Sequence, residues 1–324
     1  MIQLKNINKT FRVARREAGL KAAAKSLFHK EYTEIQALQD VSFTIGDGEM
    51  VGYIGPNGAG KSSTIKIMSG VLTPDSGECV INGRTPWLDR VNHVRQIGVV
   101  FGQRSQLWWD VPVIDSFELL RDIYKVSPDA YRKNLNDLTE LLNLGDILKT
   151  PVRQLSLGQR MRCEIAASML HDPKVLFLDE PTIGLDAVSK IAVRDFIKEL
   201  NREKKTTVIL TTHDMQDIEA LTERILLIGK GRILMDGPLA DLKKRHSSHR
   251  TLTVDYTGSK LPNFDQMKIL KDLDSHAQIL IDTSKISVSD AISLISSVAE
   301  IKDLSVTGES IEDTVVSLYK EFAI

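Results

Sequence analysis

Between residues 50 and 237, short apolar β-branched runs alternate with stretches whose apolar residues recur at helical spacing. That alternation predicts a parallel sheet covered by helices on both faces. Strands are expected at 51–54, 98–101, 175–178, 207–211 and 225–228. Each of the first four runs into a polar or glycine-rich turn, and open α/β sheets place ligands at the C-terminal ends of their strands. Between 106 and 170 the pattern turns helical, with Leu119, Leu120 and Ile123, then Leu135, Leu138, Leu141 and Leu142, at helical spacing; a helical subdomain inserted in the sheet is predicted. The charged, serine-containing run 243–250 reads as a linker. Beyond it, strands at 251–256 and 278–281, a helix at 289–298 and an amphipathic end at 309–322 are enough for a small α+β domain. The predicted division is a large α/β domain over 1–242, a linker over 243–250 and a small domain over 251–324.

Composition narrows the function classes. The 324 residues carry 42 Lys plus Arg against 43 Asp plus Glu, a formal net charge of -1, so no global field draws the chain to nucleic acid or anionic lipid. With 42% hydrophobic residues it can bury a substantial core. The two cysteines, Cys79 and Cys163, are far apart and lack His or Cys neighbours at ligand spacing, which argues against a disulfide framework or zinc site and fits a reducing cytosol. No apolar leader opens the sequence, and no run approaches the roughly 18 apolar residues of a membrane span. If the chain works at a membrane, another polypeptide does the spanning.

Two motifs carry chemistry. Gly55-Pro56-Asn57-Gly58-Ala59-Gly60-Lys61-Ser62 fits the pattern of a phosphate-cradling loop between a strand and a helix. Its glycines let backbone N–H groups face phosphates, Lys61 reaches the β- and γ-phosphates of ATP, Ser62 ligates Mg²⁺ with Ser63 beside it in the nucleotide site, and the following helix presents its positive dipole end to the anion. The bland alternative is a glycine turn with an exposed lysine. The second motif, Val175-Leu176-Phe177-Leu178-Asp179-Glu180, is an apolar strand ending in two carboxylates, costly unless a cation or another partner stands beside them. Asp179 suits the metal shell and Glu180 a general base acting on water, a role worth roughly 10²–10⁴ in rate. Solvated acids at a strand end are the alternative.

Together with Leu155-Ser156-Leu157-Gly158-Gln159, these motifs resemble the nucleotide-binding subunits of ATP-binding-cassette transporters. Gln103 looks like that family's Q-loop, Gly184-Leu185-Asp186 like its D-loop and His213 like its switch histidine. The six elements stand in the family's order and cover residues 1 to about 240. Gly102-Gln103-Arg104, Trp108-Trp109 and Pro181-Thr182-Ile183-Gly184-Leu185-Asp186 look like bacterial exporters of the ABC-2 type. The resemblance implies an α/β P-loop NTPase core with a helical subdomain. It also implies that Gln103 contacts the metal or the attacking water, that His213 contacts the γ-phosphate, and that Ser156, Gly158, Gln159 and Asp186 act on the nucleotide of a second subunit. Two positions depart from the commonest family pattern: Leu157 stands where glycine is usual, and Gly184 replaces the usual small residue.

In this family an aromatic residue after the first strand carries adenine, and Phe11 stands there; a core phenylalanine is the alternative. The insertion 12–33 carries Arg15, Arg16, Lys21, Lys25 and Lys30 among Leu20, Leu27 and Phe28. It reads as an interface with anionic headgroups or a membrane partner, or as a solvated helical arm. Of the adjacent tryptophans, Trp108 and Trp109, one is expected buried and the other free to fill a partner's groove. The functional expectation is an ATPase powering an ABC-2 type exporter. ATP-driven closure of two cassettes, a homodimer or a paralogous pair, would drive separate polytopic membrane subunits, with the chain peripheral on the cytoplasmic face and no nucleic-acid partner. A soluble cassette acting mechanically on ribosomes or DNA, and a non-hydrolysing sensor, are the competing classes.

Overall fold

The computed structural model describes residues 1–14, 32–102, 104–245, 249–258, 260–308 and 311–322. They form two compact units, Met1–Gly237 and Pro238–Ile324.

In the first unit, strands β1 (Ile2–Ala14), β2 (Tyr32–Ile45) and β4 (Ser76–Ile81) make an antiparallel sheet in the order β2-β1-β4. The sequence pattern missed it because the inward positions Ile2, Leu4 and Ile7 do not keep a period of two. Register shifts between Leu4 and Ile7, with Asn6 at φ 49°, interrupt the alternation. A six-stranded sheet follows, of β3 (Met50–Ile54), β5 (Ile97–Phe101), β6 (Val175–Asp179), β7 (Thr207–Thr211), β8 (Arg224–Gly229) and β9 (Arg232–Pro238), in the order β5-β6-β7-β3-β8-β9. The pairs β5-β6, β6-β7, β7-β3 and β3-β8 are parallel, and all five predicted strands are among these six. Ile2 and Leu4 of the first sheet, Val51, Phe177, Ile209 and Leu226 of the second, and Ile65 and Met68 of helix α1 (Lys61–Met68) share one core.

Helices α2 (Arg90–Val94), α3 (Val113–Tyr124), α4 (Pro128–Leu141), α5 (Leu157–Met169), α6 (Ala187–Lys204) and α7 (Met215–Leu221) complete this unit. The expected helical subdomain is present as α3, α4 and α5. The Ser127 hydroxyl caps α4 and Pro128 occupies its first turn, where a missing N–H costs nothing. Asn134 on α4 donates to the Leu170 carbonyl at 2.9 Å and ties α4 to the end of α5.

The second unit contains α8 (Leu239–Arg245), β10 (His249–Thr257), β11 (Met267–Leu273), β12 (His276–Asp282), α9 (Val288–Ser296), β13 (Glu300–Gly308) and α10 (Ile311–Glu321). Its antiparallel sheet runs β11-β12-β10-β13. Leu252, Val254, Ile279, Ile281, Ala291 and Ile295 form its core. The α+β character matches expectation, but the boundary and linker do not. The units divide at Gly237/Pro238, and most of the supposed linker is regular structure. Leu239 and Leu242, three residues apart, are buried on a helix that packs against α10, and two apolar positions are too few to register as a periodic pattern. The strands at β11 and β13 escaped notice because edge strands carry charge and expose most of their residues.

The insertion expected over 12–33 begins and ends as strand. Arg12 pairs across β1 and β2 with Glu34, Nε to Oε1 at 2.9 Å, and Tyr32 and Thr33 belong to β2. Arg15, Arg16, Lys21, Lys25, Lys30, Leu20, Leu27 and Phe28 lie outside the described residues.

Candidate functional site

The chemistry gathers at the C-terminal ends of the neighbouring strands β6, β7 and β3, around a cavity of about 870 Å³. Gly55, Asn57, Gly58, Gly60, Lys61, Ser62, Ser63, Asp179, Glu180 and His213 all line it.

The loop from β3 into α1 is held from behind. Gly60 precedes the helix at φ 112° and ψ -2°, and a Cβ there would stand 2.7 Å from the Ala37 carbonyl oxygen, so only glycine fits. Below the loop the buried Tyr53 hydroxyl meets Thr64 Oγ1 at 3.0 Å, and Thr64 donates to the Gly60 carbonyl at 3.1 Å. Burial pushes the Tyr53 phenol well above its ordinary pKa, so it stays neutral. Lys61 Nζ donates back to the carbonyls of Gly55 at 2.6 Å and Pro56 at 3.1 Å, which fixes its ammonium over the loop. Burial lowers the Lys61 pKa, while the nearby charges of Glu180 and Asp179 push it up.

The carboxylates are placed by β7. The Thr211 hydroxyl donates to Asp179 Oδ1, and Ser62 Oγ donates to Asp179 Oδ2 at 3.4 Å. A hydroxyl and a carboxylate facing each other suit a small divalent cation that fills its remaining positions with water and phosphate oxygens. Among the described residues no group of three or more His, Cys, Asp or Glu converges into a closed metal cage. Glu180 sits in the left-handed region at φ 55°, a conformation that costs a non-glycine residue of order 1–3 kcal/mol. Its N–H donates to the Thr211 carbonyl at 2.9 Å, and its Oε1 lies 3.2 Å from His213 Nδ1.

Other expected residues stand elsewhere. Gln103 lies outside the described residues, although Gly102 and Arg104 on either side of it line the cavity. Phe11 does not line the cavity; it pairs across the strands with Ile35, which does, and in an antiparallel pair both side chains share a face. Ser156, Gly158, Gln159 and Asp186 are absent from the lining. Ser156 caps α5 reciprocally with Gln159, accepting from its N–H at 3.2 Å while its own N–H donates to Gln159 Oε1 at 2.8 Å. Asp186 caps α6, accepting from the Ser189 N–H at 2.9 Å and the Ser189 hydroxyl at 2.8 Å, which hold its carboxyl below the usual range. The helix starts meet where the buried Gly158 faces Ser189. The two departures from the family pattern touch: Leu157 Cδ2 lies 3.0 Å from where a Cβ of Gly184 would stand, so the leucine fills space the glycine leaves.

Trp108 and Trp109 correct an expectation, being 59% and 52% exposed. The inward position goes to Leu107, held by its N–H to Ser105 Oγ at 3.1 Å, so both indoles face outward. The Arg160 guanidinium lies 5.7 Å from the Trp109 ring centre. Ile35, Ala37, Lys66, Val71 and Ile183 were not anticipated in the lining. Ile183 lies in the Pro181-to-Asp186 run, but the other four belong to no local motif; only the folded sheet and the turn of α1 bring them together.

Comparisons with known proteins identify similar chains. The family model described as "ABC transporter" matches residues 38–183. A daunorubicin resistance ATP-binding protein, DrrA3, of Streptomyces coeruleorubidus is 32% identical over 68% of this chain and 69% of its own length. An uncharacterised ABC transporter ATP-binding protein, YhcH, of Bacillus subtilis is 34% identical over 61% of this chain, and the match spans only 63% of YhcH. A solved structure described as a dimeric post-hydrolysis state of the ATP-binding cassette MJ0796 bound to ADP and Pi superposes with a TM-score of 0.61 at 29% identity, covering 74% of this chain and 99% of the other.

Proposed function

This chain belongs to the ABC transporter family of ATP-binding proteins, and we propose that it is the ATPase of an ABC-2 type exporter, closing with a second cassette on ATP and reopening on hydrolysis. One observation carries the reading: Lys61, Ser62, Asp179, Glu180 and His213, drawn from three separate strand ends, converge on one cavity. The chain is an ATPase. Its loop N–H groups and Lys61 hold the phosphates, while Ile35 and Ala37 offer the nucleobase an apolar wall with Phe11 beside it. Ser62 and Asp179 would hold Mg²⁺, with Gln103 reaching it or the attacking water. When bound, the metal neutralises charge building between the β- and γ-phosphates. Glu180 takes the proton from the attacking water, and His213, 3.2 Å away, orients that carboxylate and contacts the γ-phosphate.

The capped starts of α5 and α6, with Ser156, Gly158, Gln159 and Asp186, do not line this cavity and would meet the nucleotide of the other cassette. The second cassette is a copy of this chain or a paralogue. Among the described residues no helix is long and apolar enough to cross a membrane. In this reading separate polytopic subunits carry the substrate while this chain docks on their cytoplasmic side. The exposed Trp108 and Trp109 are the natural contact. Phosphate release with magnesium and ATP tests the reading. Wild type should turn over, and Glu180→Gln should bind ATP with unchanged affinity while losing about 100-fold or more in rate. Turnover at the wild-type rate in Glu180→Gln would reject Glu180 as the base.

A further inference from the structure

Behind the Glu180–His213 pair lies a buried carboxylate the proposed chemistry does not use. Asp217, in the first turn of α7, has a fully buried side chain. Its Oδ2 accepts from the Thr182 hydroxyl and, at 3.3 Å, from the Thr212 hydroxyl; its Oδ1 accepts from Arg194 Nε on α6 at 2.6 Å. Thr182 stands two residues after Glu180, and Thr212 stands immediately before His213. Both threonines are 2% exposed, so neither hydroxyl has water as an alternative partner. One carboxylate thus holds the chain on the far side of Glu180 and the near side of His213. The other side of His213 is also fixed: Asp214 donates its N–H to Thr212 Oγ1 at 3.0 Å and accepts from Lys190 Nζ at 2.5 Å.

We infer that Asp217 is a positioning residue for hydrolysis, a buried post that fixes the Glu180–His213 distance by holding both loops at once. The inference rests on the catalytic reading of Glu180 and His213 given above. Two features separate it from an ordinary buried ion pair. Such a pair is close to neutral for stability when compared with apolar packing, so stability alone gives little reason for it. Its hydroxyl partners come from the two segments that carry the reacting side chains rather than from neighbouring helices. Glu180, moreover, is held at a φ of 55°, a conformation that persists only when its surroundings over-determine it. The hydrogen bonds to Thr182 and Thr212 provide that constraint from behind, where they leave the cavity open for nucleotide.

Asp217→Asn would remove the carboxylate charge that Arg194 meets at 2.6 Å, leaving it only Asp214 at 3.7 Å, and risks misfolding, so the informative variants are at Thr182. Thr182→Val keeps the shape and removes only the hydroxyl; Thr182→Ser keeps the hydroxyl. Steady-state hydrolysis by the full chain should show kcat lowered about tenfold or more in Thr182→Val, because small displacements of a reacting group are costly in rate. KM for ATP and the affinity for ADP should stay within about twofold, and Thr182→Ser should restore kcat. In a His213→Ala background Thr182→Val should cost nothing further, since the hydroxyl acts only through the pair. Full activity in Thr182→Val, no rescue by serine, or an undiminished loss in the His213→Ala background would each overturn the inference. Glu180→Gln run alongside separates the two readings. If it hydrolyses like wild type, the catalytic assignment fails and takes this inference with it; if it is inactive while Thr182→Val is fully active, only the positioning role fails.

Discussion

Replacing Gly60 with alanine should disable the phosphate loop. At φ 112° an L-residue is further from the allowed regions than the ordinary left-handed conformation, and strain of this kind is of order 1–3 kcal/mol. The added Cβ would also lie 2.7 Å from the Ala37 carbonyl oxygen and 2.8 Å from Leu38 Cδ2. The leucine methyl can swing away, but the carbonyl belongs to β2 and can move only with the sheet. A combined cost of about 2–4 kcal/mol follows from strain and overpacking together. If the loop stays in place, the cost falls on folding, and at about 2–4 °C per kcal/mol for a domain of this size the melting temperature should drop by about 4–16 °C. If the loop relaxes, the N–H groups turn away and ATP affinity falls by about 30- to 1000-fold, since each 1.4 kcal/mol is tenfold. Scanning calorimetry reads the first outcome and titration with ATP the second. Gly58→Ala is the control: φ is 81° but no atom stands within 4 Å of the new Cβ, so only strain remains and the effect should be clearly smaller. Wild-type melting and wild-type ATP affinity together in Gly60→Ala would refute the reasoning.

Thr211→Val removes the hydroxyl that holds Asp179; hydrogen bonds to charged groups contribute about 1.5–3 kcal/mol, so affinity for ATP in the presence of magnesium should fall about tenfold or more, measured by titration with and without the metal. Glu164, buried on α5, has its pKa raised chiefly by burial, against opposing hydrogen bonds from Ser105 and Gln106. A carboxyl with a raised folded pKa stabilises most below its unfolded value, and that contribution is lost as pH rises through the folded value. Melting curves from pH 4.5 upward should therefore show Glu164→Gln improving relative to wild type as pH rises, and a constant difference across that window would count against the burial argument. Ending the chain after Gly237 should leave ATP binding intact, because every residue lining the cavity precedes that point; a folded truncation that no longer binds nucleotide would contradict the division.

The site was more legible than the boundaries. The glycine loop and the Asp179-Glu180 pair are contiguous motifs at strand ends, so local spacing already carried their geometry, and the parallel sheet announced itself through buried apolar runs such as Val175–Asp179. Thr211, Thr182 and Asp217 could not be seen in that way. Each is an ordinary residue whose meaning arises when β6, β7 and α7 come together. The expectation of one buried tryptophan failed because period counting cannot tell which of three consecutive apolar residues, Leu107, Trp108 or Trp109, takes the inward position; the hydrogen bond that the Leu107 N–H donates to the Ser105 hydroxyl decides it. At the other end, α8 hid within a charged run because two leucines suffice to seat a short helix against α10.

The central claim is that Lys61 and Ser156 belong to different halves of one catalytic pocket, and the oligomeric state of Glu180→Gln tests it most directly. This variant keeps shape and hydrogen bonding but lacks the base, so ATP should close two cassettes and remain unhydrolysed. Light scattering should show a shift from monomer to dimer with magnesium and ATP and none with ADP. Adding Ser156→Arg, which places a bulky cation where the partner's γ-phosphate docks, should abolish the shift without weakening ATP binding to the monomer. A Glu180→Gln protein that stays monomeric at saturating ATP, alone and with its membrane subunits, would contradict the claim, as would a dimer that forms equally well with ADP or with Ser156→Arg in place.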